Sequence, residues 1–309
     1  MDRPTPQNPL LIMAMDHRAS FGKTLFGVVD GKPTSDQERA MRRAKQLIYR
    51  GLREAWDGAS LSGQAAVLVD ERYGQTVVDD AQRDGIVLAI PVEKSGQDWF
   101  GYEWGDDWRD HLNRVRPDFA KILVRDNPAF NGADRKAQFA ALRELSDDLR
   151  GMEIPLLYEL LVPPTDGQLA SVGGDKERYD TELRPELEVR VIAENQAAGV
   201  EPAIWKIEGL ESAAAAEAVV AQIRSGGRHD VDAILLGRDA PRERLRHWID
   251  VAAPVDGFVG FAIGRSIWEE AIEGLQKRRI DEEQAGRSIA QEYAGYAEHY
   301  AFAARRDPG

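Results

Sequence analysis

The segment AIWKIEGL, residues 203–210, shows the pattern on which the fold of this chain depends. Its first half is a short apolar run that includes Ile204, Trp205 and Ile207, and such a run is typical of a strand buried on both faces. Lys206 interrupts the run. A buried ammonium group is costly unless it is paired with an anion or loses its proton, so this lysine requires an explanation.

Seven further runs of the same kind are spread along the chain. They are LLIMAM (10–15), AAVLVD (65–70), GIVLAIP (85–91), FAKILV (119–124), IPLLYELLV (154–162), DAILLG (232–237) and GFVGFAIG (257–264). Segments with helical periodicity lie between most of them. Eight units of strand and helix predict an α/β fold, a single (β/α)8 TIM barrel spanning residues 1–309 with a C-terminal helix over about 281–304. The alternative is an open doubly wound sheet, but no strand run is followed by the glycine-rich fingerprint of a dinucleotide site.

Two helix predictions are specific. Ser35 and Glu38 fit a capping box, which predicts a helix from Ser35 to about residue 56. The second and third strand runs are separated by only about fifteen residues, which predicts a short helix at best in that connection.

The composition narrows the class of protein. The 309 residues carry a formal net charge of −13 and no cysteine, which argues against disulfide or thiolate chemistry. The negative charge argues against nucleic acid or an anionic membrane as the main partner, because both are themselves anionic. No apolar run approaches the roughly 18 residues of a membrane span, so we expect a soluble cytoplasmic protein. The oligomeric state stays open, and a homo-oligomer is one alternative.

Lysine is scarce, since only nine of the 40 basic residues are lysines. Lys121 and Lys206 lie inside apolar strand runs, whereas the other seven fall in loops, turns or polar segments. One interpretation is that Lys206 is a nucleophile for a carbonyl group, its pKa lowered by burial and by Lys121 as a second cation. The other is that each lysine forms a structural ion pair inside the barrel. The spacing of these residues does not separate the two interpretations.

A glutamate also lies inside an apolar strand run, as the two lysines do. Glu159 lies within LLYELLV, where burial is expected to raise its pKa and suit it to general acid–base catalysis. It is equally suited to pairing with Lys121 or Lys206, and these two roles are compatible.

A charged triplet, Asp16, His17 and Arg18, closes the first strand run. Because the sites of TIM barrels lie at the C-terminal ends of the strands, the triplet predicts contacts with a ligand. An ion pair or helix cap within the loop is the alternative.

The last two strand runs end alike, in ILLGRDAP and FAIGRSIW. In barrels, the loops after these strands often bind phosphate through backbone N–H groups and a helix N-terminus. Gly237 and Gly264 would let the backbone approach a phosphate, and Arg238 and Arg265 follow them directly. The alternative is that these are turn glycines followed by solvated arginines.

No metal site is expected. The five histidines lack the spacing of metal ligands together with a third partner, so we predict neither a zinc centre nor a cofactor. Lysine chemistry then remains as the way to stabilise a carbanion.

Seven motifs in order across nearly the whole chain resemble a known enzyme family. They are MAMDHRASFGK, LVDERYG, IPVEKSG, FAKILVR, LYELL, WKIEG and GFAIGRSIW. They are similar to the class I (Schiff-base) aldolases related to tagatose 1,6-bisphosphate aldolase and sulfofructose-phosphate aldolase. The closest resemblance is to the domain fused after 5-dehydro-2-deoxygluconokinase in inositol catabolism.

The resemblance implies a (β/α)8 barrel and assigns roles to individual residues. It makes Lys206 the Schiff-base lysine and matches Lys121 and Glu159 to the other motif lysine and glutamate. It associates Gly264 and Arg265 with phosphate binding.

The resemblance also adds one residue to the candidate site, and the sequence departs from the family pattern at two places. The EKSG motif brings in Lys94, for which the sequence offers no independent argument. The tagatose branch has glutamine where this chain has His17, and it lacks the segment Val162 to Thr165. Both departures concern the end of the substrate away from the phosphate.

The expected reaction is cleavage of a phosphorylated keto sugar to dihydroxyacetone phosphate and an aldehyde. The first choice of substrate is 6-phospho-5-dehydro-2-deoxygluconate, which gives malonate semialdehyde, and the alternatives are sulfofructose phosphate and tagatose bisphosphate. All three have an anionic far end, for which Arg18 or Arg125 is the expected cation. Two other functions stay open: a non-catalytic phosphosugar-binding regulator, and a barrel enzyme that enolises its substrate without a Schiff base.

Overall fold

The computed structural model describes residues 2–58, 61–238 and 240–306. In these ranges, eight parallel strands form a closed barrel in which each strand pairs with the next and the last pairs with the first. The strands are β1 (Leu10–Met15), β2 (Gln64–Val69), β3 (Val87–Pro91), β4 (Phe119–Arg125), β5 (Leu156–Leu161), β6 (Ile204–Glu208), β7 (Asp232–Leu236) and β8 (Phe258–Ile263). The predicted TIM barrel is confirmed, with each strand end within about two residues of the sequence-based one.

Helices surround the barrel. They are α1 (Ala19–Phe26), α2 (Ser35–Gly58), α3 (Glu71–Asp84), α4 (Trp108–Val115), α5 (Gly132–Gly151), α6 (Asp166–Ser171), α7 (Lys176–Arg178), α8 (Arg184–Ala197), α9 (Ala213–Ile223), α10 (Arg242–Ala252), α11 (Arg265–Gln276) and α12 (Glu282–Ala303). Short 3-10 turns occupy Gly105–Asp107 and Ser225–Gly227, and a π-helical turn occupies Tyr179–Leu183.

Two helix predictions need correction. The connection between β2 and β3 contains the 14-residue helix α3 instead of a short one, because Asp70 caps its start and Gly85 ends it in the left-handed region. The capping box of α2 is formed by Thr34 and Gln37, one residue earlier than predicted. The backbone N–H of Gln37 donates to Thr34 Oγ1, and that of Thr34 donates to Gln37 Oε1.

The inside of the barrel is filled by alternate strand residues. Phe119 of β4, Leu157 of β5 and Ile204 of β6 belong to an apolar cluster within the barrel. Successive residues of a strand point to opposite faces, so the side chains two positions later also point inward, one layer nearer the C-terminal ends. This alternation places the charged residues of β4, β5 and β6 at the C-terminal mouth.

The C-terminal helix α12 packs against α2 and α11 on the outside of the barrel. Tyr293 and Tyr300 of this helix donate hydrogen bonds to the carbonyls of Leu11 and Phe258, at 2.8 and 2.9 Å. The predicted C-terminal helix therefore buttresses the strands through intramolecular contacts. No helix in the described ranges combines the length and the apolar character needed to cross a bilayer.

Candidate active site

Two buried lysines share one carboxylate oxygen at the C-terminal end of the barrel. Lys206 is 2% exposed and its Nζ lies 2.9 Å from Glu159 Oε2, its direct neighbour across the β5–β6 pairing. Lys121 is 1% exposed and its Nζ lies 3.0 Å from the same oxygen. Both lysines thus form the ion pairs of the structural interpretation, whereas the nucleophilic role of Lys206 stays a prediction.

Lys121 has two further acidic partners. Its Nζ lies 2.8 Å from Asp16 Oδ2 and 3.0 Å from Glu93 Oε1. Burial would lower the pKa of Lys121, but the three carboxylates around it raise that pKa well above its ordinary value. Lys121 is therefore an ammonium at neutral pH. Its positive charge is offset by three carboxylates within hydrogen-bond distance.

The five residues Asp16, Glu93, Lys121, Glu159 and Lys206 are called the charged floor below. Burial would raise the pKa of Glu159, but the ammonium groups of Lys121 and Lys206 lower it below its ordinary value. The expectation of a raised pKa at Glu159 is therefore wrong, because the two cations outweigh burial. Burial would likewise raise the pKa of Asp16, yet Lys121 and His17 hold it well below its usual range. Burial raises the pKa of Glu93.

The predicted site residues line one cavity of about 380 Å³. They are Asp16, His17, Arg18, Lys94, Lys121, Arg125, Glu159, Lys206, Gly237, Arg238, Gly264 and Arg265. They come from seven of the eight strands or the loops after them, so closure of the barrel is what brings them together. Within the described ranges, no three His, Asp or Glu side chains are placed to hold a metal ion.

The three residues of the charged triplet after β1 lie in different environments. Asp16 belongs to the floor. Arg18 is buried and forms ion pairs through Nη1 with Glu103 (3.0 Å) and through Nη2 with Glu93 (3.8 Å), which is the alternative that the sequence left open. The ring of His17 meets that of Trp268 edge to face, with centroids 5.6 Å apart.

His17 is neutral at physiological pH. Burial lowers its pKa to about 4, and the cations Arg265, Lys45 and Lys206 act in the same direction, against the opposing effect of Asp16. The ring therefore offers one N–H donor and one acceptor nitrogen beside the floor. Nδ1 is buried and has no hydrogen-bond partner among the described residues.

The two glycine-arginine strand ends are built differently. After β8, a Cβ at Gly264 would lie 2.5 Å from the carbonyl oxygen of Ala14 in β1, so only glycine fits this close approach. Gly264 caps the 12-residue helix α11, and Arg265 is its first residue. This end combines a close backbone with a helix N-terminus, as a phosphate site requires.

After β7, a Cβ at Gly237 would meet only ordinary contacts at 3.4 Å or more. Arg238 adopts a left-handed backbone conformation with φ of 42°. Its guanidinium is held by Glu208 at 2.7 Å and by Asp180 at 2.9 Å. Arg238 lines the cavity, but a phosphate would have to compete with two carboxylates for it.

The opposite side of the mouth is formed by the loop after β3 and the end of β4. This loop turns back on itself through an antiparallel bridge between Glu93 and Tyr102, which leads Lys94, Trp99 and Phe100 past the cavity. Lys94 and Arg125 are exposed and line the mouth. Neither side chain forms an ion pair with a described residue. These two cations are called the cationic rim below.

Two buried groups near the site, Glu93 and Lys45, are not predicted from the sequence above. Glu93 precedes Lys94 at the end of an apolar run, and the barrel rule applied to β3 would have found it. Lys45 was assigned to a polar segment, but it is fully buried in α2. Its spacing from Met41, Ile48 and Leu52 places it on the apolar face of that helix, and this was the missed signal.

Comparison with known proteins identifies the family of the chain. Residues 2–303 match the family described as uncharacterized protein conserved in bacteria (DUF2090), and the chain belongs to that family. No curated protein sequence matches it significantly.

Solved structures share the fold at low sequence identity. The fructose-bisphosphate aldolase of Plasmodium falciparum, solved with TRAP and a small-molecule inhibitor, has a TM-score of 0.63 and 14% identity over 94% of this chain and 90% of that chain. A protein from Corynebacterium glutamicum has a TM-score of 0.58 and 16% identity over 96% and 89% of the two chains. The fructose-bisphosphate aldolase of Slackia heliotrinireducens has a TM-score of 0.53 and 12% identity over 93% and 86%. At these identities, the likeness shows the barrel fold alone.

Proposed function

We propose that this member of the DUF2090 family is a class I aldolase, which cleaves a phosphorylated keto sugar through a Schiff base on Lys206. The observation that carries the proposal is the contact of Lys206 Nζ with Glu159 Oε2 at 2.9 Å on the floor of the cavity. In this arrangement the amine is the nucleophile and the buried carboxylate beside it is the proton acceptor. The aldolases among the structures of similar fold agree with the proposal.

The reaction begins when the ammonium group of Lys206 passes one proton to Glu159, and the resulting neutral amine attacks the substrate ketone. Glu159 can accept this proton because it is ionised, its pKa being lowered by Lys121 and Lys206. A second proton moves through water from the attacking nitrogen to the former ketone oxygen, which gives the neutral carbinolamine. The protonated carboxyl group of Glu159 then donates its proton to the carbinolamine hydroxyl, so that water leaves and the iminium ion forms.

The iminium ion is the electron sink for cleavage. The C3–C4 bond breaks, its electron pair forms an enamine, and the proton of the hydroxyl on the departing carbon passes to Glu159, directly or through water. The aldehyde leaves first. Protonation of the enamine and hydrolysis of the iminium ion then release dihydroxyacetone phosphate and restore Lys206. Lys121, kept cationic, stabilises the negative charge on Glu159 between these steps.

The phosphate is expected at the end of β8. Gly264 and the N-terminus of α11 would bind it through backbone N–H groups, with Arg265 beside them and Gly237 across the gap. The far end of the substrate then points toward the cationic rim, where Lys94 and Arg125 suit an anion.

The first choice of substrate is 6-phospho-5-dehydro-2-deoxygluconate, with malonate semialdehyde as the aldehyde product. This choice rests on the sequence motifs that resemble the kinase-fused domain of inositol catabolism. Sulfofructose phosphate and tagatose bisphosphate carry anions at the same end and are the alternatives. Rates of condensation of dihydroxyacetone phosphate with malonate semialdehyde, sulfolactaldehyde and glyceraldehyde 3-phosphate would rank the three.

The decisive experiment is borohydride trapping with dihydroxyacetone phosphate, followed by peptide mass mapping. We expect a reduced adduct on the peptide that contains Lys206, and the variant Lys94→Met, which alters another lysine of the cavity, should give the same adduct. If no adduct forms while the ligand still raises the melting temperature, the aldolase proposal fails. A phosphosugar-binding regulator or a non-covalent enolising enzyme would then be favoured.

A further inference from the structure

A third buried lysine lies outside the barrel and contacts the backbone on either side of Asp16. Lys45 belongs to α2 in the outer layer and is 0% exposed. Its Nζ donates hydrogen bonds to the carbonyl oxygens of Met15 at 2.6 Å and of His17 at 3.1 Å, and it forms an ion pair with Asp70. The three N–H groups of the ammonium thus have three acceptors, which is what a buried lysine needs to stay charged.

The two carbonyl groups that Lys45 holds lie on either side of Asp16. The backbone on both sides of Asp16 is therefore attached to helix α2, and on the side of Met15 it is also part of β1. The carboxylate of Asp16 in turn binds Lys121 at 2.8 Å. A continuous set of contacts leads from an outer helix to the charged floor.

Asp70 fixes the other end of this arrangement. It follows β2 directly and caps α3, where its Oδ2 accepts a hydrogen bond from the backbone N–H of Tyr73 at 2.9 Å. The ammonium of Lys45 also lies near the rings of Phe21 and Tyr73, at 5.3 and 6.0 Å from their centroids. Two helices and two strands thus converge on Lys45, which leaves the loop after β1 little freedom.

We propose that Lys45 and Asp70 form a positioning pair that holds Asp16 in place for the reaction on the charged floor. The inference rests on the proposed function for its catalytic readout. Neither residue lines the position of the Schiff base, so both act through the backbone on either side of Asp16. A displacement of about 1 Å in a group that contacts the substrate is enough to lower turnover by about two orders of magnitude.

The test is a double-mutant cycle between the pair and Asp16. The variant Lys45→Met/Asp70→Asn removes both charges together, keeps an N-cap for α3 and avoids an uncompensated buried carboxylate. Leu52→Ala, a fully buried change in the same helix, is the control for lost stability alone. Turnover is normalised to the fraction of chains that form a borohydride-trapped adduct, so unfolded protein does not count.

We expect the pair variant to lower kcat about 10- to 100-fold while KM changes less than about threefold, and Leu52→Ala to leave kcat unchanged. In Asp16→Asn, adding the pair variant should lower kcat by no more than a further factor of about three, because the pair acts through Asp16. Two results would overturn the positioning role. One is that the reductions in kcat of the pair variant and of Asp16→Asn multiply when the variants are combined. The other is that the pair variant has the same kcat as Leu52→Ala.

The same cycle can be read without turnover, as the affinity for dihydroxyacetone phosphate measured by calorimetry. Non-additive losses of affinity between the pair variant and Asp16→Asn support the positioning role even if wild-type protein forms no adduct. In that case only the proposed function fails. Additive losses of affinity in protein without turnover would overturn the positioning role too.

Discussion

The charged floor and the cationic rim face the same cavity, but their charged groups differ in burial and in ion pairing. Every ionised group of the floor is buried, except for the partly buried Asp16, and each has at least one partner of opposite charge within 3.0 Å. The cations of the rim, Lys94 and Arg125, are exposed and pair with no described residue. Water screens the rim, whereas the floor has replaced water with fixed charges. We therefore expect large chemical effects from the floor and small binding effects from the rim.

The largest effect should come from Lys206→Met. The variant loses the amine that forms the iminium ion, so we expect kcat to fall by a factor of about 10⁴ or more. The measurement is cleavage of the keto sugar phosphate, with borohydride trapping alongside it. Lys94→Met provides the control, since it removes a lysine of the rim from the same cavity. Turnover that survives in Lys206→Met would place the nucleophile elsewhere.

The second largest effect is an expected difference in stability between variants of the floor and of the rim. Lys121→Met leaves Asp16, Glu93 and Glu159 without the cation that all three share, and we expect a loss of about 3–5 kcal/mol in the free energy of unfolding. Lys94→Met should cost less than about 1 kcal/mol, because an exposed and unpaired side chain contributes little. Urea unfolding of both variants measures the difference. Equal losses would mean that the ion pairs of the floor do not stabilise the fold.

A third expectation concerns the loss of folding stability at acid pH. The pKa of His17 is about 4 in the folded protein, against an ordinary value of about 6.5, so the unfolded chain binds the proton more readily between these values. The free energy of unfolding should therefore fall as the pH drops from 6.5 to 4, by about 2 kcal/mol once solvent screening of the partly exposed ring is allowed for.

His17→Asn keeps a polar side chain of similar reach but does not titrate in this range. Its free energy of unfolding should change less between pH 6.5 and pH 4 than that of the wild-type protein. Parallel pH profiles for the two proteins would contradict the assignment of a neutral imidazole at this partly buried position.

The smallest effect belongs to the rim. Lys94→Ala and Arg125→Ala should each raise KM for a substrate with an anionic far end by about tenfold, with little change in kcat. Added salt should shrink the difference, because exposed charges are screened. An aldehyde without the anionic group, tested in the condensation direction, is the matched control and should not distinguish the variants from wild-type protein. A fall in kcat without a change in KM would move the rim residues into the chemistry.

The sequence was sufficient for the barrel and for part of the site. Continuous apolar runs separated by helical segments predicted eight parallel strands, because only strands covered on both faces can be apolar throughout. Charged residues inside such runs had to point into the barrel or its mouth, and Lys121, Glu159 and Lys206 do so. Matching Gly-Arg strand ends drew attention to Gly264 and Gly237, although only the former is required by a close backbone contact.

The remaining features depend on distances between segments that are far apart in the chain. No local pattern could show that Lys121 and Lys206 share one oxygen of Glu159, and that sharing reverses the expected direction of its pKa shift. No motif could show that Arg238 is already paired with Glu208 and Asp180. The apolar periodicity of α2 places Lys45 on a buried face, but only the packing of α2 against the ends of β1 and β2 gives that lysine its acceptors. Periodicity determines which way a side chain points, whereas its electrostatic surroundings are fixed only when the closed barrel brings the neighbouring strands and loops together.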